Sequence, residues 1–172
     1  MKAARPGETM TVRIAVLAGE GVPAPARLAG AVREALQPAA PLLVEAVRVK
    51  PAARDLARAI RGWCDRDRVD LVLTVGMSGP GAGDFAPEAT AALLGRSLPG
   101  IEERMYLAPP RRPEELLFRG RAGFRRGTLV VNLPERLPRL KAIVRFLAPV
   151  LRHAVEKARG SERECGGAGE AR

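Results

Sequence analysis

The stretch from Leu71 to Thr90, LVLTVGMSGPGAGDFAPEAT, holds the residues best suited to chemistry. Gly76, Gly79, Gly81 and Gly83 crowd into a loop that follows an apolar run and precedes Pro87. Glycine lacks a Cβ, so such a loop brings backbone N–H groups close to a ligand. Between a strand and a helix those groups, with the helix dipole behind them, suit an anion such as phosphate. Asp84 stands at the end of the loop. A carboxylate there either holds Mg²⁺ against phosphate oxygens or caps the helix that opens at Pro87 and Glu88. The local residues leave those two roles level.

Three better-known loops do not fit. A Walker A loop needs lysine, and none occurs from residue 51 to 140. Gly81, Gly83 and Ala86 have the spacing of a dinucleotide fingerprint, but they begin six residues past Val75 and follow the third strand. That fingerprint turns directly off its first strand. Gly76 and Ser78 begin a nucleophile elbow that Pro80 breaks, although Ser78, Asp84 and His153 stand in α/β-hydrolase order. His153 is the one histidine, and its place among helically spaced apolar residues marks it as structural. Trp63 and Cys64 read as core or subunit contacts.

The surrounding elements must position that loop. Residues 11–18, 42–49, 71–75 and 128–132 are β-rich segments bounded by turn formers. Leu28, Val32 and Leu36 predict a helix over 26–37, and Leu56, Ile60 and Trp63 one over 55–66. Pro87 predicts a helix running to about Ser97, and Pro138 opens a long final one. Residues 107–127 are rich in Pro, Arg and Gly and predict a long loop or small hairpin. The run LVLTV lacks polar alternation, as in a parallel sheet covered on both faces. Strands alternating with helices predict an α/β three-layer sandwich with a mostly parallel central sheet.

A chain of 172 residues suits one domain. We expect a disordered leader over 1–10, with Met10 an alternative start, the domain over 11–159 and a disordered tail over 160–172. No apolar run reaches the length of a membrane span, and no signal peptide is visible. Two distant cysteines fit a reducing cytoplasm and exclude a disulfide framework. The 29 basic and 19 acidic residues leave a net charge of +10. Aromatics are only 3%, so stacking partners for single strands are scarce and nucleic acid is a poor candidate. Seven arginines lie from Arg104 to Arg126; those from Arg111 to Arg126, with Arg136, form either a phosphate grip or a solvated face.

The run LVLTVGMSGPGAGDFAPEATAALLGRSLPGIEERM resembles the central motif of the molybdopterin-binding MoaB/Mog family, LVLTTGGTGxGxRDxTPEAT followed by LPG. RAGFRRGTLVVNLP is similar to the family's AGxRGGTLIxNLPGSP, and LKAIVRFLAPVLRHAVEKARG to its closing helix. The resemblance covers about residues 11–160. It implies a homotrimer of α/β sandwiches in the cytoplasm, with molybdopterin as ligand and Mg²⁺ and ATP as cofactors. Family enzymes transfer AMP from Mg-ATP to molybdopterin and release pyrophosphate. Carried over, Asp84 is the catalytic, Mg²⁺-associated acid. Gly76, Ser78, Gly79, Gly81, Pro87, Glu88, Asn132 and Pro134 fall on ligand-binding positions.

The departures matter as much. Met77 replaces the second loop glycine and sets a side chain where backbone should meet ligand. Arg27 to Gly30 lacks the acid and hydroxyl of the family's Asp-x-Ser-Gly. Ala52 and Ala53 follow Pro51 where a second aspartate is expected, with Asp55 slightly later. Glu135 and Arg136 replace the Gly-Ser of NLPGSP. The expectation is therefore a molybdenum cofactor protein that binds molybdopterin and adenylylates it. The alternative is a pterin- or nucleotide-binding protein on the same fold without the chemistry.

Overall fold

The computed structural model describes residues 12–36, 42–108 and 112–160. Its strands are β1 (Val12–Ala18), β2 (Leu42–Arg48), β3 (Leu71–Val75), β4 (Arg96–Ser97), β5 (Ala122–Arg125) and β6 (Thr128–Leu133). The helices are α1 (Pro25–Leu36), α2 (Ala53–Arg61), α3 (Ala86–Ala91), α4 (Pro99–Leu107) and α5 (Leu137–Ala158). One sheet has the order β2-β1-β3-β6-β5-β4. Its first four strands are parallel, and β5 and β4 run antiparallel to their neighbours. The expected three-layer sandwich with a mostly parallel sheet is the fold found.

Strand side chains alternate between two cores. Ile14, Val16, Leu71, Leu73, Leu129 and Val131 pack with residues of α1, α4 and α5. Ala15, Leu17, Val72 and Val130 pack with Leu56 and Ile60 of α2 and Ala86 of α3. Both sheet faces are covered, which explains why β3 is buried at all five residues. Cys64 is buried in the α2 core, and burial pushes its thiol up to about 11.

Sheet hydrogen bonding continues past the strand ends. Gly19 donates to the Val75 carbonyl and Gly76 to the Leu133 carbonyl. The carboxyl ends of β1, β3 and β6 therefore lie side by side, where open α/β sheets place their ligands.

Three helical features depart from the sequence expectations, while a hairpin, one of the two forms expected for 107–127, is found. The second helix reaches Arg66, but its last turn, Gly62–Arg66, widens into a π turn. The helix opened by Pro87 stops at Ala91, not near Ser97; Gly95 instead donates to the Phe124 carbonyl and starts β4. Helix α4 is not among the expected elements; its Pro99 is well placed in a first turn. The Pro- and Arg-rich segment is a short 3₁₀ turn, Pro113–Leu117, followed by a hairpin. Arg126 and Gly127 form that hairpin's two-residue turn, both at positive φ, which matches strand twist. The expected leader and nearly all of the expected tail lie outside the described residues. No helix among the described residues is long and apolar enough to cross a membrane.

Candidate functional site

A cavity of about 500 Å³ opens at the carboxyl ends of β3 and β6. Gly76 to Pro80, with Asp84, forms one wall; Pro134 to Arg136, Arg139 and the 3₁₀ turn form the other. Its volume lies in the range that holds small ligands.

The glycine loop is built tightly. Gly76 has φ +80°, and a Cβ there would lie 2.8 Å from Val22 Cγ1. Gly79 is equally constrained, since a Cβ would lie 2.8 Å from Asp84 Oδ2. Asp84 Oδ2 accepts a 2.9 Å bond from the Gly81 N–H, and the Asp84 N–H returns one to the Gly81 carbonyl. Asp84 therefore ties its own loop and does not cap the following helix, whose N-cap position is Phe85. The N–H groups of Met77, Ser78 and Gly79 meet no protein acceptor among the described residues. They are the donors an anion would find.

Met77 sits at φ +57° without being glycine. Its side chain packs over Gly19, where a Cβ would lie 2.8 Å from Met77 Cγ, and joins the α2 core. The left-handed backbone of a glycine loop thus survives with a side chain turned aside. Ser78 is buried, and its hydroxyl lies 3.4 Å from the Leu133 carbonyl. His153 lies on α5 about 24 Å of helix rise beyond Leu137, so the hydrolase order has no geometry.

Asn132 is wholly buried. Its amide donates to Thr74 Oγ1 (2.8 Å) and Thr90 Oγ1 (2.9 Å), and its oxygen accepts from the Arg121 N–H (3.1 Å). Every bond goes to protein, so Asn132 positions β3, α3 and β5. Pro87 is buried at the start of α3, and Glu88 is exposed. Both line a second cavity of about 420 Å³, beside the first.

For Arg119, Arg121 and Arg125 neither arginine alternative describes what is found. Arg119 Nε donates to the Gly79 carbonyl and Nη2 to the Asp84 carbonyl, each at 2.8 Å. Its Nη1 pairs with Glu88 at 2.5 Å, holding that carboxyl below its usual range. Arg121 pairs with Glu102, and Arg125 with Asp65 and the Leu93 carbonyl. These arginines fasten the protein to itself.

The missing acids stay missing. Arg27 to Gly30 lies within α1, with Arg27 exposed. Asp55 pairs at 2.9 Å with Arg58 of its own helix. No group of three or more metal-binding side chains gathers among the described residues. Asp84 suits Mg²⁺ only where a phosphate supplies further oxygens, the usual habit of that ion.

Fold and cavity together define an α/β protein with a pocket at the carboxyl ends of its strands. Residues 28–153 match the family described as "Probable molybdopterin binding domain", and the chain belongs to that family. A molybdopterin adenylyltransferase of Helicobacter pylori is 32% identical over 110 residues, covering 63% of this chain and 62% of that one. The molybdenum cofactor synthesis protein cinnamon of Drosophila melanogaster is 30% identical, covering 62% of this chain and 18% of its own length. Among solved structures, the molybdopterin biosynthesis enzyme MoaB of Thermus thermophilus superposes with TM-score 0.73 at 33% identity, covering 87% of this chain and 98% of that one. A molybdopterin biosynthesis protein of Mycobacterium abscessus gives TM-score 0.72 at 27% identity, covering 85% and 95%.

Two substitutions check this geometry. Met77→Gly should be more stable than Met77→Ala by about 1 kcal/mol, because only glycine is at ease in the left-handed region. Asn132→Ala strands buried hydroxyls and should cost about 2–4 kcal/mol. Urea unfolding midpoints measure both.

Proposed function

We propose that the chain works in molybdenum cofactor biosynthesis, binding molybdopterin in the strand-end cavity and transferring AMP to it from Mg-ATP. The observation that carries this reading is the cavity wall, which pairs unspent loop N–H groups with the Asp84 carboxylate. The N–H groups of Met77, Ser78 and Gly79 hold and orient phosphate oxygens. Tight packing of Gly79 and Gly81 around Asp84 fixes its carboxylate beside them. An oxygen of the molybdopterin phosphate forms a bond to the α-phosphorus of ATP. The bond from that phosphorus to the α,β-bridging oxygen breaks, and pyrophosphate leaves with the electron pair. Asp84 would hold Mg²⁺, which supplies charge neutralisation on the phosphates. We take the working form as a cytoplasmic homotrimer; exposed Leu43, Tyr106 and Leu107 offer apolar surface for subunits to bury.

A second reading is a binding protein without turnover. It is favoured by one observation, that Asp55, the acid that follows Ala52–Ala53 in the chain, is engaged with Arg58 of its own helix α2. Loss of a positioned acid typically costs two to four powers of ten in rate.

Calorimetric titration with molybdopterin, then Mg-ATP, with an assay for pyrophosphate, separates the two. The proposal expects both to bind and pyrophosphate to appear. Asp84→Asn should retain molybdopterin and lower turnover by roughly a hundredfold or more. Molybdopterin binding without pyrophosphate would establish the second reading, and binding of neither would refute both.

A further inference from the structure

The far wall of the cavity carries charge that the proposed function does not use. Arg139, in the first turn of α5, is only 3% exposed. Its Nη1 donates to the Ala108 carbonyl and its Nη2 to the Met105 carbonyl at 3.3 Å. The buried Nε donates no hydrogen bond among the described residues, although Arg139 lines the cavity. A buried donor left unmade is unfavourable unless something completes it. Arg136 stands three residues earlier, its side chain 44% exposed. Between them lies Glu115 of the 3₁₀ turn, 92% withdrawn from solvent. Its carboxylate is 3.9 Å from Arg139 Nε and 4.0 Å from Arg136 Nε. Those are ion-pair distances, too long for hydrogen bonds.

We propose that Arg139 and Arg136 form a second anion subsite in the cavity, which Glu115 covers and which a phosphate group enters by replacing the Glu115 carboxylate. A phosphate brings three oxygens and more charge than a carboxylate, and a guanidinium fork matches it with paired donors. Burial works against the charge of Arg139, and the neighbouring Glu115 restores it in part. An anion that takes its place meets a guanidinium in want of a partner. Exposed Glu114 and Glu135 also line this wall, so the cavity gains strong attraction for anions only when Glu115 yields. The occupant is a phosphomonoester or diphosphate group, held across the cavity from the glycine loop. The inference deepens the function proposed above by naming a second anchor in the same cavity, and it does not require a pterin.

The test is calorimetric titration of the full chain with inorganic pyrophosphate at low ionic strength. Glu115→Gln keeps the side chain's shape and removes the competing charge. It should tighten pyrophosphate binding roughly tenfold or more. Adding Arg136→Gln, at a half-exposed position that folding tolerates, should abolish that gain. Equal affinity of wild type and Glu115→Gln would overturn the subsite. So would a gain that survives Arg136→Gln, because the anion would then sit elsewhere, such as on the glycine loop. Arg136→Gln alone gives a control that spares Glu115, and it should weaken binding to the wild-type chain. A null result here with normal molybdopterin binding removes the subsite and leaves the pterin reading. The expected pyrophosphate result without molybdopterin binding would do the reverse.

Discussion

One buried amide holds the site's framework together. Asn132 joins Thr74 of β3 to Thr90 of α3 and takes the Arg121 N–H of the returning hairpin. All three partners lie at the carboxyl end of the sheet, on the side facing α3. A polar side chain buried there is tolerable only because its two amide protons and its oxygen are all spent. The same bonds fix where β3 stops, where the helix after the glycine loop sits and how β5 returns. The loop between those points has little freedom left, and its left-handed turns at Gly76 and Met77, the second one strained, follow from being held at both ends.

Arginine supplies the remaining fastening. Arg119 spans the loop from Gly79 to Asp84 and reaches Glu88, so one guanidinium binds two loop carbonyls and the first turn of α3. Arg48 does similar work on the first loop, donating to the Gly19 and Val22 carbonyls. Arg139 ties α5 to the end of α4. Among the described residues Arg13, Arg48, Arg119, Arg125 and Arg139 all donate to backbone carbonyls. A planar fork of five donors can satisfy several carbonyls at once, which lysine cannot.

Local pattern made the alternating strands and helices, the parallel sheet and the strand-end loop legible in the sequence. Pro99-Gly100 hid α4, since both residues punctuate structure in isolation and only the hairpin packing shows that a helix follows. The arginine-rich segment was illegible because charge alone does not say whether a guanidinium faces water, a ligand or a carbonyl. Gly79 and Asp84 could be named from their types, but their mutual contact could not. Nor could the sequence show that Met77 would keep the glycine backbone by laying its side chain over Gly19. Glu115 drew no attention because its partners come from an element more than twenty residues away.

The central claim is that the loop held by Asn132 and Arg119 presents its backbone donors to a phosphate-bearing ligand. Amide chemical shifts of the ¹⁵N-labelled protein, followed during titration with molybdopterin, test it most directly. The account predicts the largest shifts at Met77, Ser78 and Gly79, with smaller ones across the cavity at Glu135 and Arg136. Saturable shifts confined to residues outside this cavity, with the loop amides unmoved, would contradict it.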